Sequence, residues 1–147
     1  MKWFITLLAM LVAAGTLLAQ PAAVPGRGRI LVKIDGFKSD DGQVRVYLFN
    51  DAGAFPSKKD KAVAVIKDKI HDRHAEITFD NIPFGTYAVS VHHDVNGNDK
   101  IDHNWMHIPK EPYGASNGAR NTFGPPKFKQ AKFEHAAEIT TISITVK

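Results

Sequence analysis

Residues 79–91 read FDNIPFGTYAVSV, and this stretch decides the fold. Pro83 lacks the backbone N–H that a sheet ladder needs, and Gly85 can adopt a positive φ angle. The two residues therefore predict a turn between two strands. One face of the second strand then carries three apolar residues, Tyr87, Val89 and Val91.

The alternation of this strand continues beyond Val91. Because successive side chains of a strand point to opposite faces, His93 is expected on the inner face with the apolar residues. His92 and Asp94 are expected on the opposite face. The end of this strand thus presents polar groups on both sides.

Alternating apolar patterns predict further strands on either side of this stretch. Residues 30–34 and 44–49 alternate around the turn signals Gly36 and Gly42, which predicts two strands in hairpin-like succession. Shorter patterns predict three more strands, near residues 62–66, 76–79 and 142–146. No helical period is found. The sequence therefore predicts an all-β fold, an antiparallel β-sandwich of about seven strands.

The beginning of the chain has the pattern of a secretory signal peptide. Lys2 precedes an apolar run, and small residues follow as far as Ala19. We expect residues 1–19 to be a signal peptide, residues 20–29 a linker and residues 30–147 one β-sandwich domain. The alternative is an uncleaved anchor helix. After cleavage no stable membrane span is expected, so the protein would be periplasmic or secreted.

Composition excludes several classes of function. The chain has no cysteine, so disulfides, thiolate metal sites and a cysteine nucleophile are excluded. The net charge is +4, and loss of residues 1–19 would remove a single lysine. The lysines are scattered rather than continuous, which argues against nucleic acid as a partner.

Oxygen-bearing side chains recur at alternate positions directly after the strand that ends near Asp94. Such spacing is typical of a loop that wraps Ca²⁺. The predicted calcium ligands are Asp94, Asn96, Asn98 and Asp102, with the backbone carbonyl of Lys100. The loop is not an EF-hand, because its twelfth position is Trp105, which offers no carboxylate. The alternative is a metal-free turn in which Asn and Asp side chains cap their own backbone.

Seven histidines raise a second metal hypothesis. A zinc or copper site could draw on His92, His93, His103 and His107. His92 and His93 are adjacent on a strand and therefore project to opposite faces, which argues against a shared zinc or copper ion. His71, His74 and His135 are expected at the surface.

Residues 94–127 show no regular period but carry many apolar side chains. A segment of this length is usually functional or disordered, and its apolar content argues against disorder. We expect an ordered loop over one end of the sandwich, with Trp105 and Tyr113 filling that end or lining a ligand groove. The candidate ligand contacts are His93, Trp105, Glu111, Tyr113, Ser116 and Asn117.

The same residues resemble a known family. The segments HDVNGN at 93–98, IPKEPYGASN at 108–117 and FGPP at 123–126 are similar to the bacterial family named domain of unknown function 2141, small exported proteins. The corner at 83–87 resembles that of transthyretin-like and carboxypeptidase-regulatory-like β-sandwiches. These resemblances imply a transthyretin- or immunoglobulin-like sandwich outside the cytoplasm and no established activity.

Catalysis is not expected, because Ser116 lacks the nucleophile-elbow pattern and no other nucleophile with a base is recognised. The leading hypothesis is a non-enzymatic binding module of the cell envelope, stiffened by Ca²⁺, whose partner is an unknown envelope protein or a small ligand. The alternatives are a periplasmic carrier of a small ligand and a metal-dependent hydrolase. A filled loop end favours the first, and an open apolar cavity of several hundred Å³ favours the carrier.

Overall fold

The structure is a computed structural model that describes residues 26–147. The predicted signal peptide lies outside the described residues, and the first strand begins within the stretch expected to be a linker. The eight strands within the described residues are β1 (Arg27–Asp35), β2 (Gln43–Phe49), β3 (Ala64–Asp68), β4 (Ala75–Pro83), β5 (Gly85–Asp94), β6 (Tyr113–Ala115), β7 (Phe133–His135) and β8 (Ile139–Thr145). The only α-helix in this range is α1 (Phe128–Ala131), and two short 3-10 helices cover Lys59–Lys61 and Ser116–Gly118.

The strands form two facing sheets. The first sheet has the order β4-β1-β8, and the second has the order β3-β2-β5-β6 with β7 paired to the start of β5. The prediction of an all-β sandwich is confirmed. One pair departs from the antiparallel expectation, since β1 and β8 run parallel.

The predicted hairpin of the first two strands is wrong. β1 lies in the first sheet between β4 and β8, and β2 lies in the second sheet between β3 and β5. The connection crosses between the sheets through two glycines of positive φ, Gly36 at 86° and Gly42 at 70°. Local alternation identifies a strand but not its neighbours, and here each strand bonds to a partner far along the chain.

The main core lies between the two sheets. Its strand residues come from alternate positions, which buries one face of each sheet: Ile30, Val32, Ile34, Val44, Val46, Leu48, Ile77, Phe79, Val89, Val91 and Ile144. The predicted facing of β5 is correct, because Tyr87 and His93 lie on this inner side with Val89 and Val91. His93 packs edge-on against Phe37 at a centroid distance of 5.2 Å.

The corner at Pro83 carries the chain from the first sheet to the second. A single residue, Phe84, separates β4 from β5. The Tyr87 hydroxyl donates a hydrogen bond to the Pro83 carbonyl at 2.9 Å, which ties the start of β5 to the end of β4. Gly85 does not adopt the positive φ that the sequence suggested, and Asn81 does so instead, at 56°. The chain direction changes at a bend centred on Phe84, so a left-handed residue is unnecessary at Gly85.

A second, smaller apolar cluster covers the outer face of the second sheet, the face turned away from the first sheet. Phe49 from β2 packs edge-on against Phe55 at 5.5 Å, and Phe55 packs against Phe128 of α1 at 5.9 Å. The second sheet is therefore covered on both faces. Its outer face carries part of the candidate site.

The long segment after β5 differs from the expectation in two ways. It contains the short strand β6, which bonds to β5. The expected apolar plug is wrong for Trp105, which is 87% exposed, whereas Tyr113 is half-buried. Trp105 lies in a turn of this segment, and the outer cluster already covers part of the outer face of the second sheet. His135, expected at the surface, is fully buried and bonded to Thr140.

Candidate functional site

The outer face of the second sheet carries an unusual set of polar residues. Antiparallel register places Arg45 opposite His92 and Tyr47 opposite Ser90. Since directly opposite residues share a face, these four side chains project together away from the main core. Arg45, Tyr47 and His92 are buried. The segments around the sheet therefore enclose polar groups that β2 and β5 present.

The loop that follows β5 is closed by the carboxylate of Asp94. Its oxygens accept hydrogen bonds from the backbone N–H groups of Asn98 and Asp99, at 3.1 and 3.0 Å, and from Gln43 Nε2 at 2.9 Å. Asp94 is fully buried. Burial by itself would raise the pKa of Asp94, but these three hydrogen bonds outweigh it and leave the pKa below its usual value. Asp94 therefore stays ionised at the base of the loop.

The other predicted calcium ligands also converge. Asp102 accepts hydrogen bonds from Asn96 Nδ2 at 2.7 Å and from Asn98 Nδ2 at 3.1 Å. Asn96 Oδ1 accepts from the Asn98 N–H, and Asn98 Oδ1 accepts from the Lys100 N–H. Each of these side-chain oxygens thus holds a hydrogen bond within the loop. This is the arrangement of Asx-type turns, and calcium stays a prediction for these residues.

Asp99 connects the loop to the sheet, although the sequence did not single it out. Its carboxylate lies 2.8 Å from Lys67 Nζ of β3, 3.2 Å from Arg45 Nη1 of β2 and 3.2 Å from Gln43 Nε2. The hydrogen bond from Lys67, with help from Arg45, lowers the pKa of Asp99 below its usual value. The signal that could have found this contact is Arg45 itself, a charge within the otherwise apolar run VRVYLF.

Glu111 is the second residue that fastens the segment to the sheet. One oxygen lies 2.8 Å from His92 Nε2 and 3.1 Å from the Asp102 N–H, and the other accepts from the Val95 N–H at 3.0 Å. Burial lowers the pKa of His92, and the opposing hydrogen bond to Glu111 does not cancel that effect. The imidazole is therefore neutral, with Nε2 donating to the carboxylate.

A cavity of about 920 Å³ lies between the outer face of the second sheet and the segment that follows β5. Tyr47, Ser90 and His92 line it on the sheet side, and Lys59 lines it from the connection after β2. Much of the opposite wall is apolar and is contributed by Ile101, Met106, Ile108, Phe123, Pro125 and Pro126. The cavity is thus amphipathic, with polar groups on the sheet side.

The residues predicted for ligand contact are spread over different places. Tyr113 lines the cavity. Ser116 is fully buried, where its hydroxyl accepts from the Val89 N–H at 2.9 Å and donates to the Ala131 carbonyl at 2.5 Å. Asn117 donates to the Lys132 carbonyl at 2.8 Å. The sequence motif that contains Ser116 and Asn117 therefore joins β5 to the C-terminal end of α1.

Histidines do not gather into a metal centre within residues 26–147. No three His, Asp, Glu or Cys residues of this range are arranged to hold a metal ion. His92 and His93 project from opposite faces of β5, as their parity predicts, and His103 pairs through its backbone with Pro109. In the same range no helix has the length and apolar character needed to cross a membrane.

Residues 32–143 match the family described as an uncharacterized protein conserved in bacteria, DUF2141. The chain belongs to the DUF2141 family. The match begins within β1 and ends within β8, so it contains the cavity and the whole segment after β5. No curated protein and no solved structure matches the chain, and the likeness of the Pro83 corner to transthyretin-like sandwiches is not confirmed.

Proposed function

We propose that this DUF2141 protein is a non-enzymatic binding protein of the cell envelope that carries a small, largely apolar ligand. The observation that supports this proposal is the cavity of about 920 Å³ beneath the segment after β5. Pockets for small molecules commonly measure about 300–1,000 Å³ and combine apolar walls with a few polar groups. An open apolar cavity favours the carrier over the calcium-stiffened module with a filled end.

A non-enzymatic role is supported by what the polar groups of the site do. Glu111 accepts three hydrogen bonds from the protein, and Asp94 also accepts three. Three of the about four acceptor positions of each carboxylate are thus occupied by the protein itself, whereas a general base needs a lone pair directed at the substrate. These carboxylates stabilise the segment that covers the cavity. That role is sufficient in a protein that only binds its ligand.

Export is the second part of the proposal, and it rests on the pattern of residues 1–19. The protein expressed with its full sequence should appear in the periplasmic or secreted fraction of a bacterial host. Its mass should be that of a chain that begins near Gln20. A full-length chain retained in the cytoplasm would contradict export.

Ligand binding can be tested with the neutral apolar dye N-phenyl-1-naphthylamine. We expect saturable fluorescence enhancement, weakened several-fold by Ile108→Ser in the cavity wall. Ile139→Ser is the matched control, since Ile139 lies on β8 and both residues are 52% exposed. An absence of saturable binding of the dye and of dodecanoate alike, or equal weakening by both substitutions, would contradict the carrier function.

We also propose that Ca²⁺ binds the loop at Asp94–Asp102, as its spacing predicts. The convergence of Asn96 and Asn98 on Asp102 supports this second proposal. Calcium would have to replace hydrogen bonds within the loop, so weak affinity is expected. Calorimetric titration should detect heat that Asp102→Asn abolishes and that Asp60→Asn, an exposed acidic control, retains. Titration without heat, and equal unfolding temperatures with calcium and with a chelator, would exclude the site.

A further inference from the structure

The sheet side of the cavity contains donor groups that lack partners. Tyr47 lines the cavity and is 2% exposed, yet its hydroxyl makes no hydrogen bond. A buried polar group without a partner costs about 1–3 kcal/mol. Such a cost at the wall of a cavity is relieved when a ligand supplies the missing partner.

Two cations lie against the ring of the same tyrosine. Lys59 Nζ is 5.0 Å from the Tyr47 ring centroid, and Arg45 Cζ is 5.6 Å from it. Lys59 also lines the cavity. Within residues 26–147, Lys59 has no carboxylate within salt-bridge distance. Burial, with repulsion from Arg45, lowers the pKa of Lys59, which is the behaviour of a cation that lacks an adequate counter-ion.

Arg45 is also incompletely paired. Its Nη1 lies 3.2 Å from Asp99 Oδ1, but the contact is too poorly aligned to be a hydrogen bond, and Nε has no partner either. Asp99 is shared with Lys67, which holds both of its oxygens at 2.8 and 3.0 Å. The carboxylate of Asp99 is therefore shared by two cations, the guanidinium of Arg45 and the ammonium of Lys67.

The other nearby anions are already engaged. Asp94 accepts hydrogen bonds from Gln43 and two backbone N–H groups, and Glu111 accepts from His92 and two more. Because these carboxylates are bonded to the loop, they attract Lys59 only at a distance. The polar wall of the cavity thus lacks one anionic acceptor near Tyr47 and Lys59.

From this arrangement we propose that the ligand is a single-chain amphiphile with a carboxylate head, of the fatty-acid class. The carboxylate accepts a hydrogen bond from the Tyr47 hydroxyl and pairs with Lys59. The apolar chain lies along the wall formed by Met106, Ile108 and Phe123. This inference rests on the proposed carrier function and adds the chemical class of its ligand.

The test compares two amphiphiles with the same chain, dodecanoate and dodecanol, below the concentration at which either aggregates. Each is titrated against the protein loaded with N-phenyl-1-naphthylamine, and displacement of the dye is measured. Hydrogen bonds to charged groups contribute about 1.5–3 kcal/mol. The concentration of dodecanoate that displaces the dye should therefore be at least about tenfold lower than that of dodecanol.

Two variants assign the preference to the proposed groups. Lys59→Met and Tyr47→Phe should each bring the displacing concentration of dodecanoate close to that of dodecanol. Both amphiphiles are titrated against the same dye-loaded variant, so a change in dye affinity affects the two displacing concentrations alike. Lys61→Met is the matched control, because Lys61 belongs to the same 3-10 helix and is exposed. Tyr47→Phe removes only a hydroxyl that lacks a partner, so circular dichroism and urea unfolding should show a fold at least as stable as the wild type.

The outcomes separate this inference from the carrier function. Dye binding with equal displacement by both amphiphiles overturns the carboxylate inference and leaves the carrier function standing. A preference that Lys61→Met removes as strongly as Lys59→Met also overturns it. If the dye does not bind, direct calorimetry with dodecanoate decides the inference. Heat that depends on Lys59 supports it, and no heat overturns both.

Discussion

Glu111 shows how one side chain joins two distant parts of this chain. It lies in the long segment after β5, and its carboxylate bonds to His92 on the sheet and to the backbone at Val95 and Asp102. Glu111 is 7% exposed, so water offers little substitute for these contacts. A carboxylate accepts at both oxygens, whereas an amide accepts at only one.

Glu111→Gln should therefore destabilise the fold. We expect the free energy of unfolding to fall by about 1–3 kcal/mol, because at least one buried donor loses its acceptor. Urea unfolding measures the change. The control is Glu138→Gln, whose side chain is exposed and which should leave the stability within about 0.5 kcal/mol of the wild type. Equal stability of both variants would show that water satisfies the donors.

His92 makes stability depend on pH. Burial lowers the pKa of His92 in the folded protein below its usual value of 6.5. The unfolded chain therefore binds this proton more readily than the folded chain. The contribution of neutral His92 to stability is present above pH 6.5 and is lost as the pH falls from there toward the lower pKa of the folded state.

Urea unfolding between about pH 7.5 and 5 should show this loss, because unfolding is favoured wherever the unfolded state binds more protons. His92→Gln should flatten the dependence, since glutamine does not titrate. His71→Gln, at an exposed position, should keep the slope of the wild type. An unchanged slope in His92→Gln would contradict the assignment.

At the scale of elements, the loop between Asp94 and Asp102 is held by the sheet as well as by its own turns. Asp99 bonds to Lys67 of β3 and lies beside Arg45 of β2. These strands are neighbours in the second sheet, so a single carboxylate contacts both. The conformation of the loop therefore depends on the register of β2 and β3.

Asp99→Asn should loosen this loop without unfolding the sandwich. Hydrogen exchange of the amides at 96–102 should become faster, because the ion pair with Lys67 is lost and the buried guanidinium of Arg45 keeps no anion beside it. Exchange in β1 and β8 should be unchanged. Asp60→Asn is the exposed control, and equal exchange in both variants would show that the turns alone hold the loop.

At the scale of the whole molecule, the second sheet is packed on both faces. The sandwich core covers its inner face, and the aromatic cluster around Phe55 covers part of the outer face beside the cavity. The stability of the molecule should reside in the sandwich core, which joins strands of both sheets. The cavity can then exist at the outer face without a gap in the core.

Ile77→Ala in that core should lower the free energy of unfolding by about 2–5 kcal/mol, as truncation of buried isoleucine does. Ile77 is 2% exposed. Ile139→Ala, at a 52% exposed position, should change stability by less than about 1 kcal/mol. If the Ile77 variant still binds the apolar dye while folded, the cavity is independent of the core, as the two-faced packing predicts.

The sequence by itself determined the longer strands and the faces of their residues, but not β6 and β7, whose three residues each are too few to show an alternation. The alternation in 79–91 placed Tyr87 and His93 inside and His92 outside, because a strand has a side-chain period of two that each short segment carries locally. The turn chemistry of Asp94–Asp102 was also local, since Asn and Asp bond to a backbone only a few residues away. Family membership followed from residues in the same segments.

Only the tertiary structure decided which strands are neighbours, and with that the contacts of the site. Asp99 and Lys67 are 32 residues apart, and Gln43 and Asp94 are 51 apart. Such contacts arise because β2 pairs in the second sheet and not with β1, and local alternation does not specify that pairing. Strand pairing also decides the cavity, the unpartnered Tyr47 hydroxyl and the exposure of Trp105. Each of these features depends on what surrounds a side chain in space and not on its neighbours in sequence.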